Sequence, residues 1–367
     1  VERLGSLRFS FRAATFLSSL GMVALLSSRP ARAHPASRIA AVTLLVMATG
    51  LLNPDTIVLS GIAHLVFNVA IWAPLFWVGR LSLSSRGIWN ALQLMWLFHT
   101  ASSVAGVLQV YYPDSFAPSA AFVQNLLGER AESLQITLAD GRRVWRPFGL
   151  SDSPGGAATS GSFAIIIGLV LLIKNVGLVR RLVAAGSITA GIFCIYMCQI
   201  RVIMVITLLS ALVMILIQFI QGRMTRVAGL LLLIPAVIGG GIIWTQDVGG
   251  DAVTQRVRTL TESSPTAVYY KNRGKFIEYT FMEELPKYPL GGGLGRYGMM
   301  YSYFGDKRLR PFHVEVQMSS WLYDGGLLLV LLGYTAVLTT CYVSYRLATI
   351  RSDSLFNECA VIITALN

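Results

Sequence analysis

Eight apolar stretches, each close to the length needed to cross a hydrocarbon core (about 20 residues in a helix), decide what this chain can become. They fall at 36–53, 57–79, 87–110, 157–173, 182–199, 202–220, 227–244 and 320–345. Inside lipid a backbone must close its own hydrogen bonds, so the expected fold is all-α, a polytopic transmembrane helical bundle. Composition agrees: of 367 residues, 54% are hydrophobic and 13% charged, with a mean hydropathy of +0.62. A soluble domain carries about 25% charged residues. Soluble enzymes, disordered regulators and secreted disulfide scaffolds are thereby excluded. No internal repeat is visible, which argues against a transporter built from inverted repeats.

The net charge of +12 is a topology signal in such a chain. Arg80 and Arg86, then Lys174, Arg180 and Arg181, then Arg223 and Arg226, then Arg346 and Arg351 occupy connectors that share one side if the spans alternate. That side is expected to be cytoplasmic, which leaves both long polar stretches outside. The expected organisation is N-terminal transmembrane helices (1–112), a first extracytoplasmic loop (113–156), central transmembrane helices (157–244), a large extracytoplasmic loop (245–318) and C-terminal transmembrane helices (319–367). Residues 13–28 fit either a short span or an interfacial segment: hydropathy favours the first, and the charge of Arg3, Arg8 and Arg12 the second. The chain starts at Val1, and its last nine residues, CAVIITALN, read as the opening of a further span, so a fragment of something longer is expected.

Cys194, Cys198, Cys341 and Cys359 lie in or beside apolar stretches without His or acidic partners at metal-ligand spacing, and are expected to be packing residues. His64, Asn68 and His99 lie within spans and are expected to be satisfied between helices. Arg201 stands between two long apolar runs. It either snorkels to the headgroups or faces a polar cavity and pairs with an anion.

The loop 245–318 carries ten basic residues (Arg256, Arg258, Lys271, Arg273, Lys275, Lys287, Arg296, Lys307, Arg308, Arg310) against eight acids. Topology gives an outer loop no reason to be basic. It is either a solvated face of mixed charge or an anion-binding mouth in which Arg forks hold phosphate. Within it, Val268 to Leu285 reads as a helix with an apolar stripe at Phe276, Tyr279, Met282 and Leu285, stopped by Pro286 and Pro289 and resting on the membrane surface. The following GGGLGRYG, 291–298, contains G-x-G-x-x-G at Gly293, Gly295 and Gly298 but lacks the strand and acidic residue of a dinucleotide fingerprint. It is either an anion nest or a flexible turn. His313 and Glu315 then precede Trp321-Leu-Tyr-Asp324-Gly325-Gly326 and the last full span. A histidine there is suited to take a proton from a sugar hydroxyl near neutral pH, or is structural.

Taken in order, these motifs resemble the O-antigen ligase and O-antigen polymerase superfamily of bacterial envelope glycosyltransferases over roughly residues 140–345. The features are Arg201 at a span start, a basic-aromatic loop helix from Arg273 to Glu278, Pro289-x-Gly-Gly-x-Gly, His313 before a span opening on Asp324-Gly325-Gly326, and Arg146-Pro-Phe-Gly149 with Ser153-Pro154-Gly-Gly ahead of another. The resemblance implies a C-type glycosyltransferase fold in the bacterial inner membrane with its active site on the extracytoplasmic face. It implies inverting, metal-independent transfer of a glycan from an undecaprenyl-pyrophosphate-type carrier to an acceptor glycan or lipid, with no cofactor and no nucleic-acid partner. Arg201 and Arg273 then correspond to the pyrophosphate-holding residues, with Lys275, Arg296 and Arg146 as further donor-binding cations. His313 corresponds to the base or positioning residue. Val314 and Glu315 follow it where the family often has Asn or Ser, so Glu315 stands as a rival base, and Phe276 or a neighbour replaces the family's usual Trp. Chemically, a diphosphate leaving group needs cations where its charge grows, and guanidinium keeps its proton throughout. The alternative expectation is a transporter or flippase of an anionic lipid-linked glycan that binds and releases without chemistry.

Overall fold

The computed structural model describes residues 5–27, 33–127, 131–151, 153–174, 177–258, 264, 266–267, 270, 274–306, 310–314, 316–350 and 354–366. Its helices are α1 (Gly5–Leu25), α2 (Pro35–Thr49), α3 (Val58–Trp72), α4 (Pro74–Trp77), α5 (Ser85–Tyr111), α6 (Pro113–Phe116), α7 (Ala120–Leu127), α8 (Pro154–Ile173), α9 (Leu178–Cys198), α10 (Arg201–Ile220) and α11 (Met224–Arg258). After the second polar stretch begin α12 (Lys275–Tyr279), α13 (Leu285–Lys287), α14 (Gly298–Phe304), α15 (Gln317–Thr349) and α16 (Leu355–Leu366). Among the described residues seven helices are long and apolar enough to cross a membrane, and the pair Val58–Trp72 and Pro74–Arg80, bent by 44°, makes an eighth if counted as one span. Pro74 removes a backbone donor at that bend. All eight expected apolar runs are thus helical, in the architecture of a multi-pass membrane protein. Within α1 the apolar part, Ala14–Leu25, is shorter than a span.

The chain packs as two units. The first comprises 1–2, 83–262 and 344–367. Its core is aliphatic, with Ile166, Leu169, Ile188, Met214, Ile217 and Leu230 fully enclosed. Helices α8 and α9 meet where Gly161 faces Gly191: a Cβ on either would lie 2.5–2.7 Å from the other's carbonyl oxygen, so only glycine allows this approach. His99 reaches Ser160 Oγ at 3.2 Å and stacks on Phe163, and Trp96 Nε1 donates to Ser187 Oγ at 3.0 Å. Asn68, expected to bond between helices, instead donates to His64 O one turn back in α3 of the other unit. The buried Cys194 and Cys198 donate to the Ser103 and Pro147 carbonyls. In α16, Glu358 is 4% exposed and accepts from Arg226 at 2.6 Å and Arg223 at 3.5 Å.

Two boundaries in this unit differ from expectation. Helix α11 runs to Arg258 rather than ending near 244, because residues 242–248 hold no Pro or Gly, and the backbone kinks only at Gly250 (φ 55°, ψ −141°). The first polar stretch holds a small antiparallel hairpin, β1 (Gln135–Thr137) paired with β2 (Arg143–Trp145), Ile136 opposite Val144. Ala139 at its turn donates to Val248 O.

The second unit comprises 3–82 and 263–343. Met47, Leu294, Leu322 and Leu329 form its core with Trp321. Helix α1 packs on α3 through Phe16 against Phe67 and a 2.8 Å bond from Ser19 Oγ to Ala70 O. Helix α15 is interrupted at Gly325 and Gly326, and Gly326 (φ 69°, ψ −164°) adopts a conformation open only to glycine at low cost. A Cβ there would collide with the Pro289 carbonyl, whereas one on Gly298, also at positive φ, would meet nothing within 4 Å. Gly298→Ala should therefore cost about 1–2 kcal/mol of backbone strain alone. Gly326→Ala should cost clearly more, measured as the drop in unfolding free energy in detergent micelles; equal costs would contradict the packing described.

Candidate functional site

The glycine-rich segment is neither a flexible turn nor an anion nest. It is threaded between the start of α3 and the interruption in α15. Leu294 N–H donates to Thr56 Oγ1 at 2.9 Å, Gly292 N–H to Tyr323 O at 2.8 Å, and Leu327 N–H to Pro289 O at 3.2 Å. Asn53 Nδ2 donates to Gly291 O at 3.0 Å, and Ser60 Oγ to Gly295 O at 2.5 Å. These backbone groups are taken up by the protein itself. Gly293 and Gly295 take positive φ, and a Cβ on Gly295 would lie 2.5 Å from the Ser60 carbonyl carbon.

This threading builds a buried polar network. Asp324, 1% exposed, accepts Tyr297 OH at 2.5 Å and lies 3.0 Å from His64 Nε2 through the same oxygen, Oδ2. Because Tyr297 donates to the carboxylate, Nε2 is assigned the hydrogen that points at Asp324. Ser320 Oγ completes the group at 2.5 Å from Tyr297 OH. Burial, then the Asp324 charge and hydrogen bond, push the Tyr297 phenol well above its ordinary range, so it stays a donor at any physiological pH. Asp324 Oδ1 has no partner.

Beside this network, α12 and α13 are joined by a π-helical turn, Thr280–Glu284. The wider turn inserts a residue into the helical phase, and π-turns are frequent at functional sites. Of the expected stripe, Tyr279 and Met282 are exposed and Phe276 and Leu285 half-buried, whereas Thr280 and Glu284 are buried. Pro286 does not stop the helix but lies within α13, and the chain leaves helical conformation at Tyr288. Glu284 is 4% exposed; Tyr323 OH donates to its Oε1, while Oε2 is buried without a partner. Thr280 Oγ1 and Ser319 Oγ are 2.5 Å apart. A cavity of about 620 Å³ opens here, lined by Lys275, Phe276, Glu278, Tyr279, Met282, Glu283, Glu284, His313 and Ser319. Lys275 and His313 are thus brought together, the imidazole 5.6 Å from the Phe276 ring. Arg296 does not line this cavity: its guanidinium stacks 4.2 Å over Phe312, whose ring stacks on Tyr323 at 3.9 Å, so it braces the segment carrying His313. Arg273 and Glu315 lie outside the described residues.

In the first unit, Arg146 and Arg201 belong to one end of the bundle. The turn from α9 to α10 passes through Gln199, the only non-glycine residue at positive φ among the described residues (φ 57°), and places Arg201 at the first position of α10. Arg146-Pro-Phe-Gly149 is anchored on the same turn by Cys198 Sγ to Pro147 O, and on α5 by Gln109, whose Oε1 accepts the Phe148 and Gly149 amides at 2.8 and 2.9 Å. The start of α8 joins them, Gly155 lying against Ile200. Both guanidiniums leave a buried Nε unpaired. Burial lowers the Arg146 pKa from its ordinary value, though a guanidinium so far above neutrality keeps its charge. Among the described residues no cluster of three His, Cys, Asp or Glu side chains is arranged to hold a metal ion.

Asp324, Tyr297 and Glu284 were not singled out as site residues from sequence. Asp324 had a signal, an ionisable residue at the head of an apolar run; Glu284 had none, because an acid in a polar loop is ordinarily solvated. No protein-family model matches this chain, and no curated protein or solved structure is similar to it.

Tyr297→Phe and His64→Ala each remove a hydrogen bond to a buried carboxylate and should lower stability by about 1.5–3 kcal/mol. Since both act on Asp324 Oδ2, the double variant should depart from additivity by more than 0.5 kcal/mol, the scale typical of coupled residues. Chemical denaturation in micelles measures this, and strict additivity would deny the network.

Proposed function

We propose that the protein transfers a glycan from a lipid diphosphate carrier to an acceptor hydroxyl, as a polysaccharide polymerase or an O-antigen ligase, at the extracytoplasmic face of a bacterial inner membrane. The observation that carries this reading is that the segments bearing Arg146 and Arg201 meet at one end of the first unit, each guanidinium keeping a buried N–H without a partner among the described residues. The N-termini of α8 and α10 lie at that end and add their positive dipole ends. Such a cluster suits a diphosphate: guanidinium forks bind its oxygens and stabilise the negative charge that grows as the glycosidic bond breaks. His313, with Glu315 as its rival, is the candidate base for the acceptor hydroxyl, and attack by that hydroxyl on the sugar face opposite the leaving diphosphate predicts inversion at the anomeric carbon. Arg273, Lys275 and Arg296 were the remaining candidate donor-binding cations; Arg296, stacked on Phe312, now fits a bracing role better.

A second reading, transport of the same anionic lipid-linked glycan without chemistry, draws on the interrupted helix α15 and its buried Asp324, since broken spans with ionisable residues line transport pathways. Purified protein incubated with a lipid-diphosphate oligosaccharide separates the two: chain growth or transfer to a second lipid supports the enzyme, and translocation with the glycan bond intact supports the transporter. Arg201→Ala should weaken carrier binding about 10- to 100-fold, the loss of a charge-assisted bond of about 1.5–3 kcal/mol. Arg201→Lys should recover little, because an ammonium cannot replace the planar fork. Unchanged carrier affinity in Arg146→Ala and Arg201→Ala would remove the observation on which the proposal stands.

A further inference from the structure

The cavity beside α12 and α13 has the wrong charge for a diphosphate. Among the described residues lining it, three carboxylates, Glu278, Glu283 and Glu284, face a single lysine, Lys275. Ionised carboxylates are acceptors only, so they favour a ligand rich in hydroxyl donors and repel an anion. Phe276 and Tyr279 supply flat apolar surface next to these acceptors, and Ser319 and His313 add groups able to both donate and accept. Its volume of about 620 Å³ lies in the range of small-ligand sites, about 300–1,000 Å³. We infer that this cavity binds a neutral sugar of the acceptor glycan, with Glu284 taking a hydrogen bond from one of its hydroxyls. The inference rests on the glycan-transfer reading.

Glu284 is the centre of this assignment for two independent reasons. It sits at the end of the π-helical turn, on the face shared with Thr280, and is buried to 4% exposure. Tyr323 then holds Oε1 and leaves Oε2 buried with no partner. A buried acceptor without a donor costs about 1–3 kcal/mol, which a ligand hydroxyl would recover. The terminal torsion of a glutamate is soft, so a modest turn of the carboxyl group presents Oε2 to the cavity. Its neighbours are equally placed to select a hydroxyl: the Thr280–Ser319 bond ties the π-turn to the start of α15 and keeps Glu284 from swinging back toward solvent.

The test uses the full chain in lipid nanodiscs, presented to an array of neutral glycans, with the best-retained glycan then titrated calorimetrically. The wild-type chain should retain at least one glycan; Glu284→Gln and Tyr279→Ala should each weaken it tenfold or more, and Arg142→Ala, on the hairpin, should leave it unchanged. Tyr279 is exposed, so its variant guards against misfolding at Glu284. Retention of no glycan, or retention by Glu284→Gln and Tyr279→Ala equal to that of the wild-type chain, overturns the inference. So does displacement of the glycan by inorganic pyrophosphate, which would make the cavity an anion site, or by spermine, which would make it a cation site. Transfer from the lipid carrier without free-glycan retention sinks this cavity and leaves the transferase reading intact; glycan retention without any transfer does the reverse.

Discussion

In hydrocarbon no water takes up a backbone N–H or C=O left open, so a break in a spanning helix must be repaired from elsewhere in the chain. Helix α15 is broken at Gly325 and Gly326, and the repair comes from Pro289–Gly298: the Pro289 carbonyl receives Leu327 N–H, and Gly292 N–H is given to the Tyr323 carbonyl. The rest of the second unit follows from that exchange. Only glycine lets the two backbones approach so closely, which accounts for Gly291 and Gly326. The inserted segment brings Tyr297 to Asp324, and Asp324 fixes His64 of α3. Upstream of the break, Tyr323 holds Glu284 and stacks on Phe312, which in turn carries Arg296.

Charge is divided between two places rather than gathered in one. The first unit presents unpaired guanidinium N–H groups at the helix starts of α8 and α10, while the cavity of the second unit is lined mainly by carboxylates and aromatic rings. A diphosphate and a polyhydroxyl ring ask for opposite surroundings, one for fixed positive charge and the other for acceptors next to a flat apolar face.

The spans were legible because the bilayer reduces their specification to run length and lack of charge, and every expected run is helical. Arg146, Arg201, Lys275 and His313 could be named as candidates from the sequence because cations and an imidazole beside apolar runs or in an outer loop are unusual there. The π-turn was not legible: it depends on one backbone hydrogen bond skipping a residue, and no side-chain pattern encodes that. Glu284 went unremarked because an acid in a polar loop is ordinarily solvated and its burying partner, Tyr323, lies 39 residues away. The glycine-rich run was noticed but misjudged between turn and nest, because its true partner lies at Gly50–Gly61 and Tyr323–Leu327, distant in sequence. Arg296 shows the same limit: a cation in a basic loop reads as a ligand group until the ring beneath it is seen.

The ion pair in α16 adds an order in time. Glu358 follows Arg226 by 132 residues and Arg223 by 135. A ribosome delivers both arginines well before the carboxylate that joins them. While α10 and α11 enter the bilayer, the two guanidiniums are uncompensated and can steer which way the hairpin is inserted; once Glu358 emerges, the same side chains become a latch that seats the last helix. One pair of residues thus acts first as an address and later as a clasp.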